Sequence, residues 1–263
     1  MPYIRSININ TSKSHPFPYD IYAIKYARNI ALSNQITFFI GDNGTGKSTL
    51  LETLAFRLQL PKMDGAAYPK RSYEAAMKLS AELELEFAID NPRGFFFRAE
   101  DFGNYQQSVQ QTDFSLHSQL KSLEGEVPDH ILQEMKDNAN YQIHHMRKNF
   151  GQELTMFSHG EAYLRIIEEK VNKPGIYLLD EPEAALSPAR QLSLIYQIFG
   201  HLSTHRSQFV IATHSPIIMA MPNAKIFEIS ENGMVETKLE DTEHYQVTRG
   251  FLNNPEAYLR HLM

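Results

Sequence analysis

The sequence lacks cysteine altogether, and this absence removes several kinds of chemistry at once. Without thiols the chain can form no disulfide, and it can supply no thiolate nucleophile, zinc ribbon or iron–sulfur cluster. The first residues contain no basic segment followed by an apolar one, so we expect no secretory signal. Apolar runs are also too short to cross a bilayer. These absences predict a cytoplasmic protein without membrane insertion.

A strong net charge is missing as well. The formal net charge is −6 and the pI is about 6.0, which gives no overall attraction to nucleic acid or anionic lipid. Contact with nucleic acid would need a local basic patch, and Lys70-Arg71 and Arg147-Lys148 are the candidates. Hydrophobic residues make up 42% of the chain, which is enough for a globular protein with a substantial core.

A glycine-rich segment stands between a predicted strand and a predicted helix. The apolar run Ile36–Ile40 is typical of a buried strand, and Lys47–Leu60 has the leucine spacing of a helix that ends at Pro61. The segment between them matches the P-loop pattern Gly-x-x-x-x-Gly-Lys-Ser/Thr. The predicted ATP-binding residues are Gly41, Asp42, Asn43, Gly44, Thr45, Gly46, Lys47, Ser48 and Thr49.

Each part of this loop has a physical role in holding phosphate. Glycines have no Cβ, so backbone N–H groups can turn toward a phosphate, and the following helix adds the positive end of its dipole. Lys47 is expected to reach the β- and γ-phosphates, and Ser48 to ligate Mg²⁺. The loop therefore predicts binding of ATP together with Mg²⁺.

A second segment supplies the carboxylates that hydrolysis requires. Ile176–Leu179 is a short apolar run that predicts a buried strand, and Asp180 and Glu181 follow directly. Asp180 is expected to hold Mg²⁺, because carboxylate oxygen is a preferred ligand of that ion. Glu181 is expected to act as the general base that polarises the attacking water. The two segments together predict an ATPase.

The remaining pattern predicts an α/β protein. Strands at 176–179, 208–212 and 226–229 alternate with helices at 160–170 and 188–202, which indicates a largely parallel sheet covered on both faces. The alternating run 83–87, the turn 91–94 and the run 95–97 suggest a β-hairpin, and 61–73 a loop. Residues 104–150, richer in Gln, Ser, Lys and His, predict a small helical insertion, with one helix starting near Pro128-Asp129.

Four further motifs give the chain a resemblance to the ABC-type ATPases. Leu178-Leu179-Asp180-Glu181-Pro182 is similar to that family's extended Walker B motif. Ala185-Leu186-Ser187-Pro188 resembles its D-loop, and Ala212-Thr213-His214-Ser215-Pro216 resembles the segment of its switch histidine. Phe157-Ser158-His159-Gly160-Glu161 stands where the family has its signature motif.

This resemblance implies a fold and a mechanism. The fold is that of a P-loop NTPase, an ABC-ATPase head over residues 1–263. It has a nucleotide-binding core at 1–103 and 151–263, an antiparallel β subdomain, and the insertion 104–150. ATP and Mg²⁺ would be bound between two copies in a head-to-tail homodimer. The resemblance gives His214 a γ-phosphate contact within one copy, and assigns the signature residues Ser158, His159, Gly160 and Glu161 to the ATP of the other copy.

Three assignments remain open at this stage. Glu100 is a candidate for the family's Q-loop position, and an ordinary surface salt bridge is an equal alternative. The aromatic residues Phe17, Tyr19 and Tyr22 precede the P-loop, where the family often stacks adenine, although a core or surface role is favoured for each one. The polar segment Thr242–Arg249, which includes His244, either meets a partner or caps the domain, and we favour the cap.

The signature form Ser-x-Gly-Glu resembles soluble ABC ATPases of DNA repair, recombination and phage defence more than transporters. The interval from Lys47 to Ser158 is too short for long coiled-coil arms, so the chain looks like a head domain without arms. The phrases at 97–100, 179–188 and 242–245 resemble those of the compact bacterial stand-alone "predicted ATPases" of the ABC/AAA type. An ATP-driven switch in DNA maintenance or antiphage defence is therefore the leading hypothesis, with nucleic acid or an effector protein as partner. The alternatives are the nucleotide-binding subunit of a transporter, and a regulator of a partner toxin or nuclease.

Overall fold

The computed structural model describes residues 2–10, 16–62, 70–89, 92–103, 118, 122–123, 127–128, 130–138 and 159–260. The strands of this part of the chain are β1 (Ile4–Ile9), β2 (Ile30–Ala31), β3 (Ile36–Gly41), β4 (Leu83–Phe87), β5 (Gly94–Arg98), β6 (Ile176–Asp180), β7 (Gln208–Ala212), β8 (Lys225–Ser230) and β9 (Gly233–Thr237).

The helices are α1 (Tyr22–Lys25), α2 (Lys47–Arg57), α3 (Lys70–Glu82), α4 (His159–Lys170), α5 (Pro188–Thr204), α6 (Pro216–Met219), α7 (Glu243–Asn253) and α8 (Pro255–Leu259). Residues 99–103 and 130–138 are also helical, and Pro182–Ala185 and Leu239–Asp241 form 3-10 turns. None of the described helices is long and apolar enough to span a membrane.

The larger sheet has the strand order β5-β6-β7-β3-β8-β9. Its first five strands are parallel, and β9 runs antiparallel to β8. Every residue of β3, β6 and β7 is buried, as expected for central parallel strands that are covered on both faces. Because parallel strands end at the same edge of a sheet, the residues that follow β3, β6 and β7 lie close together.

The smaller sheet is antiparallel, with the order β2-β1-β4. Its apolar residues Ile7 and Ile9 join a core that includes Leu50, Leu51 and Leu54 of the P-loop helix. The predicted α/β class, with a mostly parallel sheet and an antiparallel β subdomain, is therefore confirmed.

The predicted hairpin at 83–97 is wrong, because β4 and β5 belong to different sheets. β4 alternates between buried and more exposed residues and pairs with β1, as suits an antiparallel strand with one solvated face. In β5 the successive residues Phe95, Phe96 and Phe97 are all buried, so the strand needs cover on both faces and pairs in parallel with β6. The contrast between alternating and continuous apolar patterns distinguishes the two strands.

The loop predicted at 61–73 ends early, because helix α3 begins at Lys70. Residues 63–69 lie outside the described part of the chain, as do the side chains of Lys70 and Arg71 and the whole of the second basic candidate, Arg147-Lys148. A longer loop was expected because Pro61, Gly65 and Pro69 are residues that commonly interrupt helices and strands.

The chain divides into two compact units, residues 1–99 with 171–263, and residues 100–170. Most of the predicted helical insertion 104–150 lies outside the described residues, but 130–138 are helical, close to the predicted start at Pro128-Asp129. Within the second unit, the Phe102 and Tyr163 rings pack edge to face with centroids 5.5 Å apart. The first unit contains both sheets and the P-loop.

Candidate nucleotide-binding site

The glycine-rich loop after β3 is tightly turned, and two of its glycines are required by their surroundings. Gly41 has φ 138°, and a Cβ there would lie 2.2 Å from the backbone oxygen of Ile229. Gly46 has φ 94°, and a Cβ there would lie 2.0 Å from Cγ2 of Ile21. Both the left-handed backbone and the lack of space exclude other residues. Ile229 of β8 and Ile21, the residue before α1, therefore pack so closely against the loop that only glycine fits at these two positions.

Lys47 begins helix α2 and reaches back across the loop. Its Nζ donates hydrogen bonds to the backbone oxygens of Gly41 at 2.7 Å and Asp42 at 3.0 Å, and its side chain is buried. Burial lowers the pKa of Lys47, and the nearby carboxylates of Glu181 and Asp180 oppose that shift. The ammonium group thus lies within the loop whose backbone N–H groups would surround a phosphate.

Ser48 and Asp180, the two predicted metal ligands, meet at the edge of the sheet. The Ser48 hydroxyl donates to Oδ1 of Asp180 at 3.1 Å, and Asp180 ends strand β6. Burial raises the pKa of Asp180, and the charge and hydrogen bond of Arg98 oppose the rise. A hydroxyl and a carboxylate oxygen form a donor set that suits Mg²⁺, a hard cation that takes oxygen ligands.

An ionic network that the sequence analysis missed supports this carboxylate. Arg98, the last residue of β5, donates from Nε to Oδ2 of Asp180 at 2.9 Å. Its Nη2 lies 2.8 Å from Oε1 of Glu52. The three side chains are 16%, 2% and 6% exposed, respectively. One signal was available: Glu52 is a charged residue in a helix segment that otherwise consists mainly of apolar residues, among them Leu50, Leu51 and Leu54.

Glu181 follows Asp180 in a strained backbone conformation. Its φ of 48° and ψ of 51° place a non-glycine residue in the left-handed region, while its N–H donates to the Ala212 oxygen at 2.9 Å. Such a conformation costs about 1–3 kcal/mol and is concentrated at functional sites. The Oε1 atom of Glu181 lies 3.5 Å from Nε2 of His214. The general base predicted from the sequence is therefore next to the predicted switch histidine.

Local sequence explains why His214 lies at this edge. It follows β7 by two residues, and the hydroxyl of Ser215 accepts from the Ile218 N–H at 3.3 Å, so that Ser215 caps α6. Pro216 occupies the first helical position, where its missing N–H costs nothing. The switch segment thus ends a buried strand and begins a short helix, with His214 at the turn between them.

Two contacts hold the His214 backbone and side chain. Its backbone N–H donates to Oε1 of the half-buried Glu183 at 2.6 Å, and its Nδ1 lies 3.0 Å from Nε2 of His244, at the start of α7. Burial lowers the pKa of His214 to about 4, helped by the positive charge of Lys47 and by His244. His214 is therefore a neutral imidazole at pH 7. The sequence analysis singled out no role for His244.

A cavity of about 610 Å³ opens at this edge of the first unit, within the size range of small-molecule sites. Its lining comprises Phe17, Asp20, Ile21, Tyr22, Asn43, Gly44, Gly46, Lys47, Ser48, Thr49 and Glu181. Of the three upstream aromatic residues, Phe17 and Tyr22 line this cavity, whereas Tyr19 packs against the hydrophobic core. P-loop residues, Glu181 and the exposed rings of Phe17 and Tyr22 thus line the same cavity.

The side chains present fit a nucleoside triphosphate with Mg²⁺. Helix α2 starts at the loop, so its N-terminal N–H groups favour an anion there. Among the residues that the structure describes, the buried Nε2 of His214 has no hydrogen-bond partner, and it lies on the Glu181 side of the loop. A ring nitrogen without a partner at this place could donate to a bound phosphate oxygen if it carries the proton.

The predicted signature and Q-loop residues belong to the second unit. Ser158 lies outside the described residues; His159 and Gly160 begin α4, with Glu161 in its first turn. Glu100 is exposed, in the helical residues 99–103. The roles of these five residues remain predictions.

Comparison with known proteins agrees with this geometry. The family model described as "ABC transporter" matches residues 30–184. A second model, described as "AAA domain, putative AbiEii toxin, Type IV TA system", matches residues 162–220. No curated protein is significantly similar to the chain.

Solved structures with a similar fold include three proteins of low identity. The Smc head domain from Pyrococcus furiosus, bound to the C-terminal domain of ScpA, is 14% identical, with 97% of this chain and 100% of that chain covered and a TM-score of 0.48. The protein cbiO1 from Clostridium perfringens, part of the ABC transporter complex cbiONQ, is 16% identical, with 100% of each chain covered and a TM-score of 0.42. A nucleotide-free ATP-binding cassette from an ABC transporter is 15% identical, with 97% of each chain covered and a TM-score of 0.46.

The match of residues 30–184 covers more than half of the chain and includes the P-loop, Asp180 and Glu181. The structure independently brings these residues to one edge of a parallel sheet. The chain therefore belongs to the family of the ABC transporter model, and it is an ABC-type ATPase domain.

Proposed function

We propose that this protein hydrolyses ATP with Mg²⁺ at the cavity beside the P-loop and uses the reaction as a conformational switch. One observation carries the proposal: Lys47, Ser48, Asp180, Glu181 and His214 meet at a single sheet edge, with the Ser48 and Asp180 oxygens 3.1 Å apart. A phosphate cradle, a metal-ligand pair and a base–histidine pair are the parts that phosphoryl transfer to water requires.

The first part of the mechanism is binding. The P-loop N–H groups and Lys47 hold the phosphates, and Ser48 and Asp180 would hold Mg²⁺. When bound, the ion neutralises charge on the phosphate oxygens. Arg98 keeps Asp180 in place through the contact at 2.9 Å. Phe17 and Tyr22 line the cavity, and in this proposal they contact the base of the nucleotide.

The second part is water activation. Glu181 accepts a proton from a water molecule as the water oxygen attacks the γ-phosphorus. The bond between that phosphorus and the bridging oxygen breaks, and ADP leaves with the bonding electron pair. His214 donates from Nε2 to a γ-phosphate oxygen, and its contact with Glu181 at 3.5 Å orients the base. A neutral His214 can make that donation only if Nε2 carries the proton.

The third part is the second copy of the chain. By resemblance to the ABC-type ATPases, Ser158, His159, Gly160 and Glu161 of one copy contact the γ-phosphate held by the other. Helix α4 begins at His159, so its N-terminus supplies N–H groups that favour an anion. Hydrolysis would then require a head-to-tail homodimer, and Glu100 would contact Mg²⁺ or the γ-phosphate as the Q-loop residue.

The biological setting that we propose is DNA maintenance or antiphage defence, with nucleic acid or an effector protein as partner and a location in the cytoplasm. The description of the second family model names a toxin–antitoxin system, which supports this setting. Regulation of a partner toxin or nuclease belongs to the same class of mechanism. A transporter subunit would instead co-purify with an integral membrane protein.

The experiment that tests the shared site mixes two inactive variants. Lys47→Ala removes the phosphate contact, and Ser158→Ala removes the signature hydroxyl, so each variant alone should lose ATP hydrolysis. A mixed dimer has one site with both groups intact, and the mixture should recover activity, up to about half of the wild-type rate per mixed dimer.

Two controls complete the test. Glu231→Gln, a change at an exposed glutamate of the β8–β9 turn, should leave hydrolysis unchanged. Glu181→Gln should form a dimer by light scattering only when ATP and Mg²⁺ are present, and repeating this with DNA tests the partner class. Activity of Ser158→Ala alone, or no recovery in the mixture, would contradict the head-to-tail site.

A further inference from the structure

The two histidines at the sheet edge form a contact that ATP binding alone does not explain. His244 lies in the first turn of α7, and its Nε2 is 3.0 Å from Nδ1 of His214. Thr242 fixes the start of this helix, since its hydroxyl accepts from the Tyr245 N–H at 3.3 Å and donates to the Leu239 oxygen at 2.8 Å. Thr242 is fully buried, so the turn that carries His244 is anchored.

The remainder of α7 does not contribute buried residues to the core. The helix is placed against the first unit through its capped start, and the side chain of His244 is half-buried there. Its Nδ1 has no hydrogen-bond partner among the described residues, so Nε2 makes its hydrogen bond to the site. The contact with His214 is therefore the principal polar interaction of this imidazole.

Proton positions in the pair follow from the neighbouring carboxylate. One of the two facing nitrogens must donate and the other must accept. If Nδ1 of His214 donated, the neutral ring would present a lone pair on Nε2 to Oε1 of Glu181 at 3.5 Å, and two acceptors would face each other. If Nδ1 accepts, Nε2 carries the proton, and a donor lies 3.5 Å from that carboxylate. The carboxylate therefore favours His214 with its proton on Nε2.

We propose that His244 is a positioning residue for hydrolysis: its Nε2–H donates to Nδ1 of His214 and keeps the His214 proton on Nε2. This inference rests on the proposed function, in which Nε2 of His214 donates to the γ-phosphate. A phosphate oxygen is an acceptor, like the Glu181 carboxylate, so both need the same tautomer. The hydrogen bond on one ring nitrogen sets the protonation of the other, which is how an orienting partner acts on a catalytic imidazole.

Two variants at His244, whose new side chains match each other in size and shape, test whether a donor to Nδ1 of His214 is needed. His244→Gln offers an amide N–H to Nδ1, whereas His244→Glu offers an ionised carboxylate, which accepts only and draws the proton onto Nδ1. We expect His244→Glu to lower kcat by about 10–100-fold, the usual loss when an orienting partner is removed, and His244→Gln to keep most of kcat. His244 does not line the cavity, so KM should be similar in both.

A second measurement reads the tautomer without any turnover. Long-range ¹H–¹⁵N spectra of the nucleotide-free full chain with ¹⁵N-labelled histidine separate protonated from unprotonated ring nitrogens, and loss of signals in His214→Gln identifies His214. The proposal predicts an unprotonated Nδ1 and a protonated Nε2 in the wild type and in His244→Gln. It predicts the reverse in His244→Glu. Thermal unfolding of each variant confirms that the compared chains are folded.

The outcomes separate this inference from the function on which it rests. Equal kcat in the Gln and Glu variants, or a proton on Nδ1 of wild-type His214, overturns the role of His244 and leaves ATP hydrolysis intact. Absence of hydrolysis in the wild type defeats the proposed function, and the spectra still decide the tautomer. A parallel loss of kcat in both variants with unchanged spectra would assign His244 a packing role and also overturn the proposal.

Discussion

The two halves of the site are built differently. On the binding side, Lys47, Ser48, Asp180 and Arg98 are largely buried and make hydrogen bonds of 2.7 to 3.1 Å. On the hydrolytic side, Glu181 and His214 are 36% and 28% exposed, and the atoms that face each other are 3.5 Å apart. Glu181 also has a left-handed backbone, whereas the binding residues outside the glycines do not.

The difference indicates that the fold organises binding more firmly than chemistry. The phosphate and metal side is held by contacts between α2, β5 and β6. The hydrolytic side depends on a strained residue and on a histidine pair, and a phosphate oxygen supplies the acceptor that Nε2 of His214 needs.

The largest expected effect concerns the binding side. Arg98→Met leaves the buried carboxylates of Asp180 and Glu52 without their partner, so we expect the free energy of unfolding to fall by about 3–5 kcal/mol in urea titrations. Arg98→Lys keeps the charge and should retain part of that stability. If Arg98→Met instead unfolds no more easily than the wild type, the network does not organise the binding side.

A matched control uses the same substitution at the surface. The Arg5–Glu86 pair has an N–O distance of 3.5 Å, with side chains 55% and 58% exposed, so Arg5→Met should cost less than about 1 kcal/mol. If Arg5→Met and Arg98→Met lose the same free energy of unfolding, burial does not explain the cost of removing Arg98.

The next effect concerns acid sensitivity of the hydrolytic side. The folded pKa of His214 is about 4, below its ordinary value of 6.5. As the pH falls through 6.5, the unfolded chain takes up a proton that the folded chain excludes, so the free energy of unfolding decreases down to about pH 4. The loss from this residue amounts to at most about 3 kcal/mol.

Unfolding titrations at pH 7 and pH 4 measure this loss. His214→Gln should lose less stability than the wild type over that range, and His130→Gln, a change at an exposed histidine, should behave like the wild type. Equal acid losses in the wild type and in His214→Gln would show that His214 is not held neutral by the fold.

The smallest effect concerns backbone strain. Glu181→Gly removes the cost of a left-handed non-glycine residue, and thermal unfolding should show a gain of about 1 kcal/mol together with loss of hydrolysis. Glu240→Gly, at an exposed position of the 3-10 turn Leu239–Asp241, should instead lose up to about 1 kcal/mol. A destabilised Glu181→Gly protein would mean that the residue is not strained.

Sequence reasoning succeeded where the signal is local. The P-loop from Gly41 to Thr49 combines an apolar strand, a fixed glycine spacing and a helical pattern within a few residues, so its shape follows from neighbours in the chain. The position of Asp180 and Glu181 at the end of a strand was predictable for the same reason, since they follow a continuous apolar run. The order of strands explains why these segments meet at one edge.

The parts that escaped prediction depend on distant partners. Arg98 reaches Asp180 across 82 positions, and His214 meets His244 across 30. Neither pair has a spacing that secondary structure would bring together. The assignment of β4 and β5 to different sheets failed similarly, because a turn-like segment between two strands does not reveal which strands they pair with.

Single-turnover hydrolysis of ATP by Glu181→Gln, measured together with ATP affinity, decides whether this edge of the sheet is the catalytic site. Glu181 faces the cavity but makes no hydrogen bond to the Lys47 or Ser48 side chains among the contacts described. We therefore expect ATP affinity to stay near that of the wild type and the hydrolysis rate to fall by about 10²–10⁴-fold, as for loss of a general base. A wild-type rate in Glu181→Gln would contradict the site, and so would a rate that falls only in proportion to lost ATP binding.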